Sequence, residues 1–278
     1  MTRDRLVCLV SGAAGQIGSA TVRRLGEQGH TVYAAMRDPY GRNAPARERL
    51  EDCCRILELD VTRMESVQAG IDRVIRETGQ LNVLVNNAAL VEFGPVELVK
   101  PERAGEILDV NVVGPLRMLQ AAAPIFRVQR SGLIVQMSSV SGRLVTPLAG
   151  IYAASKAALE AWSEAAWQEL RHFGVGVVLV EPGDVDAESA SAPAPAGPLG
   201  HYKPLWGQVF ADRGRPTVRG GPSTWDVADA VCGLVEHRDP TVLRVQVGSD
   251  AEAAVATRAM LSDEEFREAL WAMLDISW

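Results

Sequence analysis

Runs of strand length built from Val, Ile and Leu recur along this chain, and segments of helical length separate them. The strand candidates are residues 6–11, 31–36, 55–59, 83–86, 133–137 and 175–180, with a late one at 242–247. Several are continuously apolar instead of alternating, the pattern of parallel strands covered on both faces. Helical stretches lie between them at 17–27, 64–77, 101–129 and 152–172. Repeated strand–helix alternation requires right-handed crossovers. The expected fold is therefore α/β, a doubly wound parallel sheet of about seven strands flanked by helices. No early linker divides the sheet, so the 278 residues read as one domain, 1–278.

Two late segments depart from this rhythm. Residues 187–222 are rich in Ala, Pro, Gly and Ser, and their place after the sixth strand favours a substrate lid over a solvated linker. Residues 252–278 form a helical tail. Ser262-Asp263-Glu264-Glu265 reads as a capping box within it, and Ser223-Thr224-Trp225-Asp226 caps the helix that precedes the late strand. Trp271 and Trp278 are costly to leave in water, so the tail is expected to pack on the body or on a second subunit.

A formal charge of −7 argues against a general nucleic-acid binder, whose affinity rests on clustered Lys and Arg. No apolar run reaches the ~18 residues of a membrane span, and the apolar stretch 6–10 is too short for a secretory segment. Cys8, Cys53, Cys54 and Cys232 show neither a paired framework nor CxxC, which reads as reduced thiols in a cytoplasmic protein with no metal site.

The first strand runs into Ser11-Gly12-Ala13-Ala14-Gly15-Gln16-Ile17-Gly18 and then a helix. Glycines there permit a tight turn and bring backbone N–H groups to a pyrophosphate at the helix's positive end, whereas a plain turn is the blander account. The second strand ends in Met36-Arg37-Asp38. A carboxylate near this point holds a free ribose 2′-hydroxyl, and a guanidinium suits a 2′-phosphate. Met36 stands in the slot for the acid, so Arg37 favours NADP(H), with NAD(H) possible and Asp38 a contact to the ribose or a charge against the phosphate. Asp60 and Val61 follow the third strand, where they could touch an adenine edge or cap a helix.

Tyr152 and Lys156 lie one helical turn apart on a shared face. A neighbouring ammonium can lower a phenol's pKa by ~1–3 units and suit it to proton transfer. Ser138 and Ser139 close the fifth strand at the end where doubly wound sheets bind ligands.

Together the glycine loop, Asn86-Asn87-Ala88-Ala89, Asn111, Ser139, and Tyr152 with Lys156 resemble the short-chain dehydrogenase/reductase family, over about residues 6–185. Residues 33–38 and 244–251 are similar, more weakly, to its hydroxysteroid and retinol dehydrogenase branch. The resemblance implies a Rossmann-type fold and an NADP(H)-dependent enzyme interconverting a ketone and a secondary alcohol. Tyr152 would be the general acid or base, Lys156 would tune it and hold the nicotinamide ribose, and Ser139 would hold the substrate oxygen. Asn111 would support a water relay to Lys156 from a distorted helical turn, which Gly114-Pro115 makes physically reasonable. Asn86, Asn87 and Ala88 would line the cofactor crevice, with Pro182, Gly183 and Val185 on its nicotinamide side. Ala187 stands where the family often has a contacting threonine, with Ser189 nearby. The glycine spacing is closer to the extended branch, so an isomerase or dehydratase of a nucleotide sugar is one alternative, and a non-catalytic cofactor sensor is another. A small apolar-bodied substrate is expected from Leu144, Val145, Leu148, Leu205, Trp206, Val209 and Phe210. The alanines of 152–172 with Trp162 and Trp167 fit a homodimer or homotetramer.

Overall fold

A computed structural model describes residues 5–185, 195, 197–211 and 221–278. Its sheet consists of β1 (Val7–Ser11), β2 (Thr31–Met36), β3 (Arg55–Glu58), β4 (Val83–Asn86), β5 (Gly132–Met137), β6 (Val175–Pro182) and β7 (Arg244–Val247). All neighbours pair in parallel, in the order β3-β2-β1-β4-β5-β6-β7. The expected seven-stranded doubly wound sheet is present, and its direction of winding reverses between β1 and β4, where such sheets open a ligand crevice.

The helices are α1 (Gln16–Glu27), α2 (Ala44–Leu50), α3 (Met64–Thr78), α4 (Pro101–Leu108), α5 (Gly114–Gln129), α6 (Gly150–Arg171), α7 (Lys203–Trp206), α8 (Thr224–His237), α9 (Ser249–Met260) and α10 (Asp263–Met273). The single helix expected at 101–129 is two helices joined by a π-helical turn, Asp109–Val113. Pro115 has no N–H to continue the regular ladder there. The short α2 was not foreseen, because it turns only Ala46 and Leu50 into the core.

Alternate residues of β1 serve opposite faces. Cys8 and Val10 pack with Leu25 of α1 and Val231 of α8, whereas Val7 and Leu9 pack with Ile71 of α3 and Phe126 of α5. A third cluster joins Leu144 and Leu148, after β5, to Trp206 and Phe210 and to Phe266, Leu270, Leu274 and Ile276 of the tail. The expected capping box forms on Ser262, and the expected cap at Ser223 proves to be a capping box too. The tail packs on the body, as its tryptophans required. Trp271 sits against the third cluster, and Trp278 stacks on Tyr202 at 6.0 Å while staying half-exposed. Of the expected lid, residues 187–194, 196 and 212–220 lie outside the described residues, Ala187 and Ser189 among them. The remainder includes α7, whose Leu205 and Trp206 are buried. No helix among the described residues is long and apolar enough to cross a membrane, and the four cysteines are free thiols.

Gly183 joins the end of β6 to α9. Its N–H donates to the Val247 carbonyl at 3.0 Å, and a Cβ there would fall 2.1 Å from Oδ2 of Asp250, which accepts the Asp184 N–H. Gly183→Ala is expected to destabilise the fold by ~1–3 kcal/mol through overpacking. Gly233→Ala, in α8 with open space around it, is expected to raise the melting temperature slightly. Thermal melting followed by circular dichroism checks both signs.

Candidate active site

The carboxyl ends of the strands surround a cavity of about 1310 Å³. One wall is the loop after β1. Gly12 adopts φ +66°, and a Cβ there would lie 2.6 Å from the Ala88 Cα. This close approach is fastened by polar contacts. Asn87 Nδ2 donates to the carbonyls of Ser11 (3.0 Å) and Gly12 (3.1 Å), and Ser11 Oγ accepts from the N–H groups of Asn87 and Ala88. Gly15 precedes α1 in extended conformation, so Gly12, Gly15, Gln16, Ile17 and Gly18 present a helix N-terminus to the cavity. Its leading N–H groups and positive dipole end suit an anion.

Arg37 and Asp38 line the cavity after β2, as does a second guanidinium, Arg42. Asp38 sits at φ +43° and its Oδ2 accepts the Arg42 N–H at 2.7 Å, so its carboxylate shapes the turn that returns Arg42 to the wall. Asp60 and Val61 also line it. Asp60 Oδ1 accepts from both N–H and Oγ of Thr62 in a local turn and does not cap α3, whose N-cap is Arg63, so its place is in the wall.

The opposite wall carries Ser139 and Tyr152, with Ser139 the polar neighbour acting on the phenol. Lys156 lies behind them, buried, with Nζ donating to the Met137 carbonyl at 2.6 Å and 5.7 Å from the Tyr152 ring centre. Burial raises the Tyr152 phenol to about 12, and Ser139 is the neighbour that pulls it down. The expected lowering by Lys156 is therefore corrected: its ammonium is spent on a carbonyl, and desolvation dominates the phenol. Burial lowers Lys156 itself to about 8, against a smaller upward pull from Glu160.

Asn111 occupies the π-helical turn, buried. It exchanges two hydrogen bonds with the Leu90 backbone (2.7 and 2.8 Å) and donates to Ser155 Oγ at 3.0 Å, and Ser155 in turn donates to the Tyr152 carbonyl. Gly183 and Val185 line the cavity, whereas Pro182, Asn111 and Lys156 stand outside its lining. Asn86 is a correction as well. Its side chain is turned into the sheet, donating to Gln136 Oε1 at 3.1 Å, and Asn87, Ala88 and Ala89 face the cavity instead.

Beyond Tyr152 the cavity becomes apolar, bounded by Phe93, Leu144, Phe210, Phe266, Leu270 and Leu274. Of the side chains expected around a substrate, Leu144 and Phe210 reach it. Leu148, Leu205, Trp206 and Val209 are buried in the third cluster, and Val145 points to solvent.

Residues 6–195 match the short chain dehydrogenase family. This chain belongs to that family. The short-chain dehydrogenase is 36% identical over 178 residues to a 3-ketodihydrosphingosine reductase of Bacteroides thetaiotaomicron, covering 64% of this chain and 63% of that protein. It is 38% identical over 189 residues to the 17-beta-hydroxysteroid dehydrogenase type 1 of Homo sapiens, covering 65% and 57%. The chain thus spans less than two thirds of either relative's length. Among solved structures it is similar to a short-chain dehydrogenase from Streptomyces avermitilis, with TM-score 0.80, 26% identity and 99% and 98% of the two chains covered. It is also similar to a metagenomic short-chain oxidoreductase in complex with NADP, with TM-score 0.67, 26% identity and coverage of 89% and 98%.

For a short-chain dehydrogenase the cavity's residues fit a dinucleotide: a helix N-terminus and two guanidiniums face the same space. Sequence reasoning passed over Arg42, although an Asp-Pro-x-Gly turn directly after a cofactor-binding strand was the available signal. Phe93 and the α9–α10 wall, including Thr257 and Met273, were also missed.

Proposed function

We propose that the protein is an NADP(H)-dependent oxidoreductase that interconverts a ketone and a secondary alcohol on a substrate with apolar bulk. The observation that carries this reading is the placing of Tyr152 and Ser139 on one wall of a cavity, between an anion-binding end and an apolar end. Gly12, Gly15, Gln16, Ile17 and Gly18 would hold the pyrophosphate, and Arg37 with Arg42 the 2′-phosphate. Asp60 and Val61 would flank the adenine. Asn87 and Ala88 would border the ribose, with Lys156 reaching it from behind, and Pro182, Gly183 and Val185 would border the nicotinamide. When bound, that ring supplies the hydride in reduction or takes it up in oxidation.

Tyr152, neutral at pH 7, would give its proton to the carbonyl oxygen during reduction and recover it during oxidation. Ser139 would hold the same oxygen and donate to the charge developing there. Asn111 would act through Leu90 and Ser155, keeping the turn before Lys156 in place for a proton relay. Supporting this reading are the likeness to a structure that carries NADP and to relatives named for reduction or dehydrogenation of a ketone or an alcohol. The same reading places one domain over 1–278, with a lid at 187–222 and a tail at 252–278, in the cytoplasm. Self-association as a dimer or tetramer fits the exposed stripe of Ala154, Ala157, Ala161 and Ala165 on α6.

The test is loss of reduced-nicotinamide absorbance with NADPH or NADH against 2-butanone, cyclohexanone, 2-decanone and a fused-ring ketone. Ketone-dependent oxidation of NADPH is expected, faster with the two bulkier compounds. No turnover with any ketone, nor with the matching alcohols and NADP⁺, would overturn the reading.

A further inference from the structure

Behind the reacting side chains lies a buried polar cluster that the proposed reaction does not use. Glu160 follows Lys156 by one turn of α6, on the same face as Tyr152. Its Oε1 accepts from Ser138 Oγ at 2.8 Å. Ser138 sits between two residues of the site: Met137, whose carbonyl takes the Lys156 ammonium, and Ser139, the partner of Tyr152. A Cβ on Gly142 would lie 2.7 Å from Glu160 Oε1, so the turn after Ser139 also rests on this carboxylate.

Glu160 meets a second buried acid, Glu181 of β6, and the two carboxyl groups converge on Arg244 Nε, at 3.2 and 3.3 Å. Gln246 donates to Glu181 Oε2 at 2.5 Å. The charged groups facing the pair come from every neighbouring element. Arg244 of β7 lies 3.2 Å from Glu160 and 3.3 Å from Glu181, and it also bonds Glu164 of α6. Arg143, after β5, lies 3.6 Å from Glu181, and Lys156 precedes Glu160 on α6.

We propose that Glu160 is a positioning residue: through Ser138 it fixes the strand end bearing Ser139, and from one turn beyond Lys156 on α6 it faces the ammonium with a carboxylate. The inference rests on the oxidoreductase reading and extends it. Burial and the adjacent Glu160 raise Glu181 to about 7, so Glu181 gains its charge as pH rises through neutrality. The second charge appears just as the buried Lys156 ammonium, with its value of about 8, would begin to be lost. The pair therefore extends the alkaline range over which the cation persists.

Three variants separate charge from position. Glu160→Gln removes a negative charge beside Lys156, and the alkaline limb of NADPH-dependent reduction should move ~1 pH unit toward acid. Ser138→Ala keeps the charge but frees the strand end, so turnover should fall ~10-fold or more with the limb unmoved and NADPH affinity, read by fluorescence, retained. Glu181→Gln should remove the infrared band of a buried protonated carboxyl, which in the wild type disappears as pH rises through about 7. Stability follows the same sign. A carboxyl whose folded pKa is raised loses stability as pH rises toward that value, so Glu181→Gln should gain in melting temperature over wild type between pH 5 and pH 8. An unmoved alkaline limb in Glu160→Gln, or no such band in the wild type at pH 6, would overturn the inference. If Glu160→Gln does not fold, Glu160→Asp, which keeps the charge and shortens its reach, should behave as Ser138→Ala does, and a shifted limb there would count against it. Unchanged turnover in Tyr152→Phe would instead defeat the oxidoreductase reading, and the infrared and melting results do not depend on turnover.

Discussion

Tyr152→Phe should lower ketone reduction by ~10²–10⁴-fold, the usual worth of a positioned general acid. The substitution removes one oxygen and keeps the ring, so the packing of α6 against the cavity wall is preserved. The glycine loop and the two arginines are untouched, and the dissociation constant for NADPH should stay within about threefold, since no phosphate contact is lost. Stopped-flow measurement of a single turnover separates this loss from slower product release. With the phenol held up near 12 by burial, the proton is available throughout the neutral range. Reduction by the wild type should show no fall from pH 6 to pH 7 that can be ascribed to this group. Turnover at the wild-type rate in the phenylalanine variant would remove Tyr152 from the chemistry.

The second large effect concerns coenzyme choice. Arg37 and Arg42 come to the same wall, one directly from the end of β2 and the other through the turn that Asp38 closes. A charge-assisted hydrogen bond to phosphate contributes ~1.5–3 kcal/mol, and less where solvent screens it, as it does for the exposed Arg37. Replacing both by alanine should therefore raise KM for NADPH by roughly 10²-fold, with each single variant giving less than the pair. NADH lacks the 2′-phosphate, and its KM should change by no more than about threefold. Steady-state kinetics with both coenzymes, at two salt concentrations, checks the claim, because a phosphate contact weakens with added salt. Equal losses for the two coenzymes would count against it.

Much of the fold was legible because its strands are short, continuous apolar runs that only a sheet covered on both faces can hide. Residues 31–36 and 83–86 were read with the bounds the structure shows, and the glycine loop was placed correctly between strand and helix. The break in 101–129 was visible only as a glycine and a proline, since an amphipathic pattern carries across a π-helical turn without losing its face. The site was legible where its residues fall within one helical turn, as Tyr152 and Lys156 do. It was less so where three-dimensional approach decides the matter. Arg42 reaches the cavity through a turn, and Asn86 was read as lining the crevice alongside Asn87 because a strand's last position can face either way. The electrostatics of Tyr152 depend on burial and on what Lys156 binds, and neither is written in a spacing of four. Glu181 fell just past the strand read at 175–180, whereas the structure extends that buried strand to Pro182, and its meaning needed the second acid across from it.

The far wall of the cavity is drawn from the last helix, with Leu270, Met273 and Leu274 facing inward and the chain end pinned by Gln208 to Ser277. None of these belongs to the stretch that handles protons or cradles phosphates. One wall of the pocket is thus encoded apart from its reacting side chains, although Phe93 and Leu144 of the apolar end lie in the earlier stretch. Changes confined to the closing segment can retailor the range of accepted molecules while the chemistry is inherited intact.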